Sequence, residues 1–367
     1  MPGIFYAIYR GKVCLYVYSF SYDKWVCTGY LAEKKRRKVR DENGKEFDTS
    51  ITIMLDDDTT YELYLDYDSP PKRTAKEFVE KHKLSQNFIP QIKEFIELNV
   101  SSQARNKNIP PKEESGVFAD GKIQFGTAEM KGKRNTMQDF SIAFEDKETN
   151  SSFFCIFDGH GSEEPSQYAG KRFKEITLQL LKEKGTKDEE LLTKVLMTLR
   201  EEMTRFETCG TCAVCVFIKG NKMWTANLGD SRCLLCWKKD GENNVQQLSV
   251  DHKASDKEAV EYAEKNGGHV VNGRISNILA VSRFIGDSLL AAYAVAEPSR
   301  GEVTLQSDVK VLMACDGVFD VITNEEVADM ALDFCESPVN SAVRVRDKAF
   351  ECGSLDNISV IVVQIQQ

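Results

Sequence analysis

The sequence predicts an α+β protein of two domains, and three observations carry that expectation. Short apolar runs rich in β-branched and aromatic residues recur along the chain and read as strands, among them residues 153–157, 311–315 and 358–363. Apolar stripes at helical spacing read as helices: Phe173, Ile176 and Leu180 over residues 165–184, then Leu192, Val195, Leu199, Met203 and Phe206 over 188–207. The 367 residues suffice for two domains at roughly 150 residues each. Between them, residues 101–121 carry Ser101-Ser102, Pro110-Pro111 and Glu113-Glu114 with almost no apolar periodicity, the composition of a solvated linker. The expected domains are therefore residues 1–100 and 122–367.

Within the first domain, residues 12–20 and 24–31 alternate and read as strands joined by a turn at Ser21-Tyr22-Asp23. Residues 51–55 and 61–65 form a second pair around Asp56-Asp57-Asp58, which lacks the loop glycine and distal glutamate of an EF-hand calcium loop. Thr74 opens a helix carrying Phe78 and Val79, and a second helix starts near Pro90 with Ile92, Phe95 and Ile96 at helical spacing. The run Lys34-Lys35-Arg36-Arg37-Lys38 resembles a nuclear-localisation or phosphate-binding patch, although a solvated loop between strands accounts for it more simply.

Composition narrows the function classes. Apolar residues at 41% and charged residues at 29% fit a soluble globular protein. The net charge is −9, from 48 basic and 57 acidic residues. Residues 1–100 hold 16 of each sign, so the whole excess lies in residues 101–367, and it argues against nucleic acid as the main partner. No run approaches the ~18 apolar residues of a membrane span, no secretory leader is evident, and Pro2 stands where myristoylation needs glycine. Eleven cysteines, an odd number without a leader, are expected to be mostly reduced thiols of a cytoplasmic protein, with the nucleus also open to it.

The chemistry concentrates on aspartates. Asp158 follows the run 153–157, Asp316 follows 311–315, and Asp356-Asn357 precedes 358–363. Carboxylates at the ends of buried strands repel one another if they converge, unless a cation lies between them. Hard oxygen donors of this kind suit Mg²⁺ or Mn²⁺ better than Zn²⁺. Gly159, Gly161 and Gly317 beside them fit close backbone approaches or positive φ. The spacing of Cys209, Cys212, Cys233 and Cys236 resembles a zinc ribbon, but their neighbours read as buried strands. Residues three apart on a strand face opposite sides, so small buried thiols are the better account. His82 reads as a helix-surface residue and His252 as part of a turn, neither with a catalytic role.

Ordered motifs make the reading specific. Gly132-Lys133-Arg134-Asn135-Thr136-Met137-Gln138-Asp139, Phe157-Asp158-Gly159-His160-Gly161 and Asn227-Leu228-Gly229-Asp230-Ser231-Arg232 are followed by Asp251-His252-Lys253 and Gly267-Gly268. Leu279-Ala280-Val281-Ser282-Arg283, Gly286-Asp287, Ala314-Cys315-Asp316-Gly317 and Asp356-Asn357 complete the series. Residues 122–367 thereby resemble the metal-dependent protein phosphatase 2C family. The resemblance implies an antiparallel β-sandwich flanked by helices, and hydrolysis of phosphoserine and phosphothreonine by a metal-bridged hydroxide. It implies two Mg²⁺ or Mn²⁺ ions: Asp158 bridging, Asp316 and Asp356 completing one site, the Gly159 carbonyl serving the other. Asp230 with Asp316 matches a third, weaker position. Arg134 would hold the phosphate and His160 would protonate the leaving alkoxide.

Three departures stand out. Gln138 occupies a position where many relatives have Glu, which predicts weaker metal binding. Ser162 replaces the second glycine of a usual pair. Residues 287–298 are unusually apolar, which bears on substrate preference. Within residues 10–100, the stretches around Tyr18-Ser19-Phe20, Gly44-Lys45-Glu46-Phe47-Asp48, Ala75-Lys76-Glu77-Phe78 and Gln91-Ile92-Lys93-Glu94-Phe95-Ile96 resemble a PFU domain, a ubiquitin-binding module. The implied partners are phosphoprotein substrates and ubiquitin. The rival class is a pseudophosphatase scaffold that binds ubiquitin or phosphoproteins without turnover.

Overall fold

The computed structural model describes residues 111–366 apart from 184, 307 and 333–336. Before them it describes 4–9, 12–19, 24–30, 39–41, 44–47, 49–54, 60–65, 71–86, 89 and 92–93. The chain divides into two compact units, Met1–Pro110 and Pro111–Gln367.

In the first unit, β1 (Ile4–Tyr9), β2 (Lys12–Ser19) and β3 (Lys24–Tyr30) form an antiparallel sheet in that order. The β2–β3 pair matches the sequence expectation. Strand β1 stood outside that expectation, although Ile-Phe-Tyr-Ala-Ile-Tyr is an apolar run of the kind that reads as a strand. Strands β4 (Thr49–Met54) and β5 (Thr60–Leu65) pair antiparallel, as expected. Helix α1 (Pro71–Lys81) begins three residues before Thr74, since proline's fixed φ suits a first helical turn. Leu63, Ala75, Phe78, Val79 and Ile92 are buried together and join α1 to the hairpin. The basic run 34–38, the acidic turn 56–58 and most of the expected second helix lie outside the described residues.

The second unit opens with β6 (Lys112–Phe118), β7 (Ile123–Met130), β8 (Phe140–Asp146) and β9 (Ser151–Phe157). Helices α2 (Glu164–Lys182) and α3 (Asp188–Glu202) follow. Next come β10 (Ala213–Lys219), β11 (Lys222–Leu228), β12 (Arg232–Lys239), β13 (Glu242–Gln247) and helix α4 (Lys257–Lys265). The final stretch holds β14 (Ser299–Thr304), β15 (Val309–Ala314), α5 (Asp316–Phe319), α6 (Asn324–Ala331), α7 (Pro338–Glu351) and β16 (Ile358–Ile365).

These strands make two antiparallel sheets, one in the order β8-β9-β10-β11-β14 and the other β13-β12-β15-β16-β7-β6. Alternation along each strand sorts the side chains into layers. Phe154, Ile156, Val214 and Val216 of the first sheet meet Val311, Met313, Ile361 and Val363 of the second. Phe153, Cys155, Phe157, Cys215 and Phe217 point outward onto Phe173, Ile176, Val195 and Leu199 of α2 and α3. Leu312, Val360 and Val362 point outward onto Val327, Ala342 and Val345 of α6 and α7. The result is the expected sandwich flanked by helices, and it explains why β9, β15 and β16 are buried at every position and mostly apolar: both faces are covered.

Residues 112–118 correct the linker expectation, because they form an edge strand paired with β7. Most of β6 is exposed, so its Lys-Glu-Glu-Ser composition reflects a solvated sheet edge. A buried Arg346 on α7 pairs with Glu113 at 3.0 Å and ties that edge to the helix layer. Helix α7 lies so close to the sheet that a Cβ on Gly126 would fall 2.1 Å from the Val339 backbone nitrogen. Gly126→Ala is therefore expected to push α7 off the sheet and destabilise this unit by about 1–3 kcal/mol, read by denaturant unfolding of the full chain.

Candidate active site

Antiparallel pairing brings four aspartates to one end of the sandwich. Asp158 leaves the C-terminal end of β9, and Asp230 lies just beyond that of β11, which runs the same way two strands along. In the other sheet, Asp316 follows β15 and Asp356 precedes β16, its antiparallel neighbour. A cleft of about 350 Å³ opens there, lined by all eight residues expected from the sequence: Arg134, Gln138, Asp158, Gly159, His160, Asp230, Asp316 and Asp356. Thr208, Cys212, Arg274 and Asp287 also line it, as do residues 278–281.

The carboxylates are held in protein surroundings that disfavour charge. Burial first, and then the neighbouring Asp316, raise the Asp158 carboxyl well above its ordinary range; burial and Asp230 do the same to Asp316. Asp230 is raised by burial. Asp139, to which the sequence assigned no role, is buried and pushed up to about 7 by burial, although Ser359 donates to it at 2.7 Å. Such crowding is relieved by a divalent cation.

The donor set fits one. Oxygens of Asp158 and Asp316 and the Sγ of Cys315 lie within 4.8 Å of one another. Burial raises the Cys315 thiol well above its ordinary value, and the same sulfur accepts the Ser359 amide at 3.2 Å, which leaves the hard oxygens as donors. Mg²⁺ or Mn²⁺ suits such a set.

Asn357 is a second residue whose role composition concealed. Its Oδ1 accepts the Gln138 amide at 2.8 Å, and its Nδ2 donates at 2.8 Å to the carbonyls of Lys131 and Thr136. One side chain thus pins the loop carrying Arg134 and Gln138 beside Asp356. Arg134 itself pairs with Asp356 and is half exposed, so its guanidinium stands between solvent and the carboxylates. Of the three glycines singled out, only Gly161 has a positive φ, at 79°. Gly159 and Gly317 serve close approaches instead, with a Cβ falling 2.4 Å from the Gln138 carbonyl oxygen and 2.0 Å from that of Asn357.

The four cysteines of ribbon-like spacing do not converge. Cys233 faces the inter-sheet core and Cys236 the helix side of the second sheet, while Cys212 belongs to a separate cluster with Phe284 and Leu290. That cluster also accounts for the apolar stretch 287–298: Leu290 and Ala294 are buried against Ile275, Leu279 and Val281, forming a small core under the loop. His252 is buried with its Nδ1 3.1 Å from the Gly229 carbonyl oxygen, and burial, then Arg283, hold it down at about 4.

Residues 123–358 match the family model of protein phosphatase 2C, nearly two thirds of the chain. The chain belongs to the protein phosphatase 2C family. Among its relatives, the probable protein phosphatase 2C 59 of Arabidopsis thaliana is 31% identical over 284 residues, covering 73% of this chain and 87% of that one. Protein phosphatase 2C homolog 1 of Saccharomyces cerevisiae is 32% identical over 263 residues, covering 65% of this chain and 92% of that one. A phosphatase from Toxoplasma gondii shares the fold with a TM-score of 0.59 at 22% identity, covering 69% of this chain and 95% of that one. Residues 5–104 match the model of the PFU (PLAA family ubiquitin binding) domain.

For this member of the phosphatase 2C family, Gln138 is the testable departure, since it lines the cleft with a neutral amide. Restoring a charge with Gln138→Glu is expected to tighten Mn²⁺ binding several-fold, measured by calorimetry on the full chain.

Proposed function

We propose that the chain is a metal-dependent serine/threonine protein phosphatase whose N-terminal unit recognises ubiquitin. The observation that carries the reading is the convergence of Asp158, Asp230, Asp316 and Asp356 with Arg134 and His160 in one cleft. Asp158, Asp316 and Asp356, with the Gly159 carbonyl, would hold the two ions, and Asp230 with Asp316 a third. When bound, Mg²⁺ or Mn²⁺ supplies Lewis acidity that lowers the pKa of water toward neutrality.

The remaining work falls to the chain's own side chains. Arg134 presents a guanidinium fork that matches two phosphate oxygens, and its pairing with Asp356 supports a role in holding the phosphoryl group beside the carboxylates. His160 lines the cleft and carries the proton for the leaving group. As water's oxygen bonds to phosphorus and the bond from phosphorus to the serine or threonine oxygen breaks, His160 gives the departing serine or threonine oxygen a proton. The proton released by the water restores the imidazolium. An acid so placed contributes about 10²–10⁴-fold for a poor leaving group.

The free thiols of the described residues are compatible with a reducing, cytoplasmic location, which we include in the proposal. The scaffold alternative has less support, since every residue expected in the cleft is present there.

Purified full-length protein is expected to hydrolyse p-nitrophenyl phosphate and phosphoserine peptides with Mn²⁺ or Mg²⁺ and to stop on chelation. Inactivity across a metal titration would overturn the enzyme reading. Titrating the full chain into ¹⁵N-labelled ubiquitin is expected to shift a contiguous patch of amides, and no shift at millimolar concentration would remove ubiquitin as a partner.

A further inference from the structure

Three two-residue strands stand beside the cleft. Gly159–His160, Gly210–Thr211 and Ile285–Gly286 pair antiparallel, with His160 opposite Gly210 and Gly210 opposite Gly286. The central position has no side chain, and that gap is occupied. A Cβ on Gly210 would lie 2.2 Å from Oδ2 of Asp287 and 2.9 Å from Nε2 of His160. The imidazole reaches across the bare middle strand and meets the Asp287 carboxylate.

Asp287 is fixed from both sides. Its amide donates to the Cys209 carbonyl at 3.0 Å, and its carbonyl accepts the Leu290 amide at 2.7 Å. Its φ is +41°, a region that aspartate tolerates better than most residues. The residue is 3% exposed, so its carboxylate faces the imidazole rather than water. An ionised carboxylate only accepts hydrogen bonds, so Nε2 of His160 must carry the hydrogen of this pair. Nδ1 is then the nitrogen that exchanges a proton with substrate.

We propose that Asp287 is the positioning residue for His160. It selects the tautomer and holds the ring plane so that Nδ1 delivers the leaving-group proton, with Gly210 as the gap that permits the contact. This rests on the reading of His160 as the acid, and it adds a residue that touches neither the phosphate nor the expected ions.

The test is a double-mutant cycle on full-length protein with Mn²⁺, comparing a phosphoserine peptide, whose alkoxide leaves poorly, with p-nitrophenyl phosphate, which leaves well. Asp287→Asn is expected to lose about 10–100-fold in kcat on the peptide, and at least tenfold less on p-nitrophenyl phosphate. The double variant with His160→Ala should be no slower than His160→Ala alone. Equal losses on both substrates, or losses that multiply in the double variant, would overturn the proposal. If His160→Ala itself shows no leaving-group dependence, the acid reading falls and the role of Asp287 falls with it. Selectivity in His160→Ala but not in Asp287→Asn removes Asp287 alone. Should Asp287→Asn fail to fold, ¹⁵N spectra of the wild-type imidazole decide: the neutral ring is expected to carry its hydrogen on Nε2, and the opposite tautomer refutes the proposal.

Discussion

Like charges forced together at the end of a sandwich govern the rest of this structure. Burial and then repulsion from neighbouring aspartates raise the carboxyls of Asp158 and Asp316 above their ordinary range, and burial raises that of Asp230. No short-range contact would gather such groups spontaneously. They converge because β9, β11, β15 and β16 are locked by antiparallel ladders whose apolar faces are covered on both sides. The hydrophobic layers thus provide the free energy that opposes the electrostatic strain, and a divalent cation is the natural counterion for what remains.

That constraint explains several features that look incidental by themselves. Asn357 uses its amide oxygen and nitrogen to clamp the loop of Arg134 and Gln138 against the second sheet. Gly159 and Gly317 let backbone approach backbone where a side chain would hold the carboxylates apart. The small core around Phe284, Leu290 and Ala294 supports the loop that covers one wall of the cleft. Each device acts on distance, and the chemistry of phosphate ester hydrolysis depends on distances of that order.

The legibility of the sequence divides along physical lines. Strands buried on both faces announce themselves as continuous apolar runs, so β9, β15 and β16 were readable, as were the stripes of α2 and α3. The edge strand β6 was not, because an exposed edge has the polar composition of a linker until its hydrogen-bond partner is known. The site residues were legible as ordered motifs, and all eight line one cleft. The partners that hold them were not. Asp139, Asn357 and Asp287 each appear inside a recognisable motif, yet their contacts cross 220, 219 and 127 residues of sequence.

What the amino-acid sequence determined by itself was therefore which residues line the cleft and the periodicity of the layers that carry them, since both are local properties of residue type and spacing. Its charge of −9 belongs to positions 101–367, where carboxylates gather for cations. What only the tertiary structure decided was which groups meet: that Cys315 turns its sulfur into a hydrogen-bonded core, that the ribbon-spaced cysteines disperse into different layers, and that His160 finds Asp287 across Gly210. Those outcomes depend on strand register and on the absence of a single Cβ, and neither can be read from residues considered one element at a time.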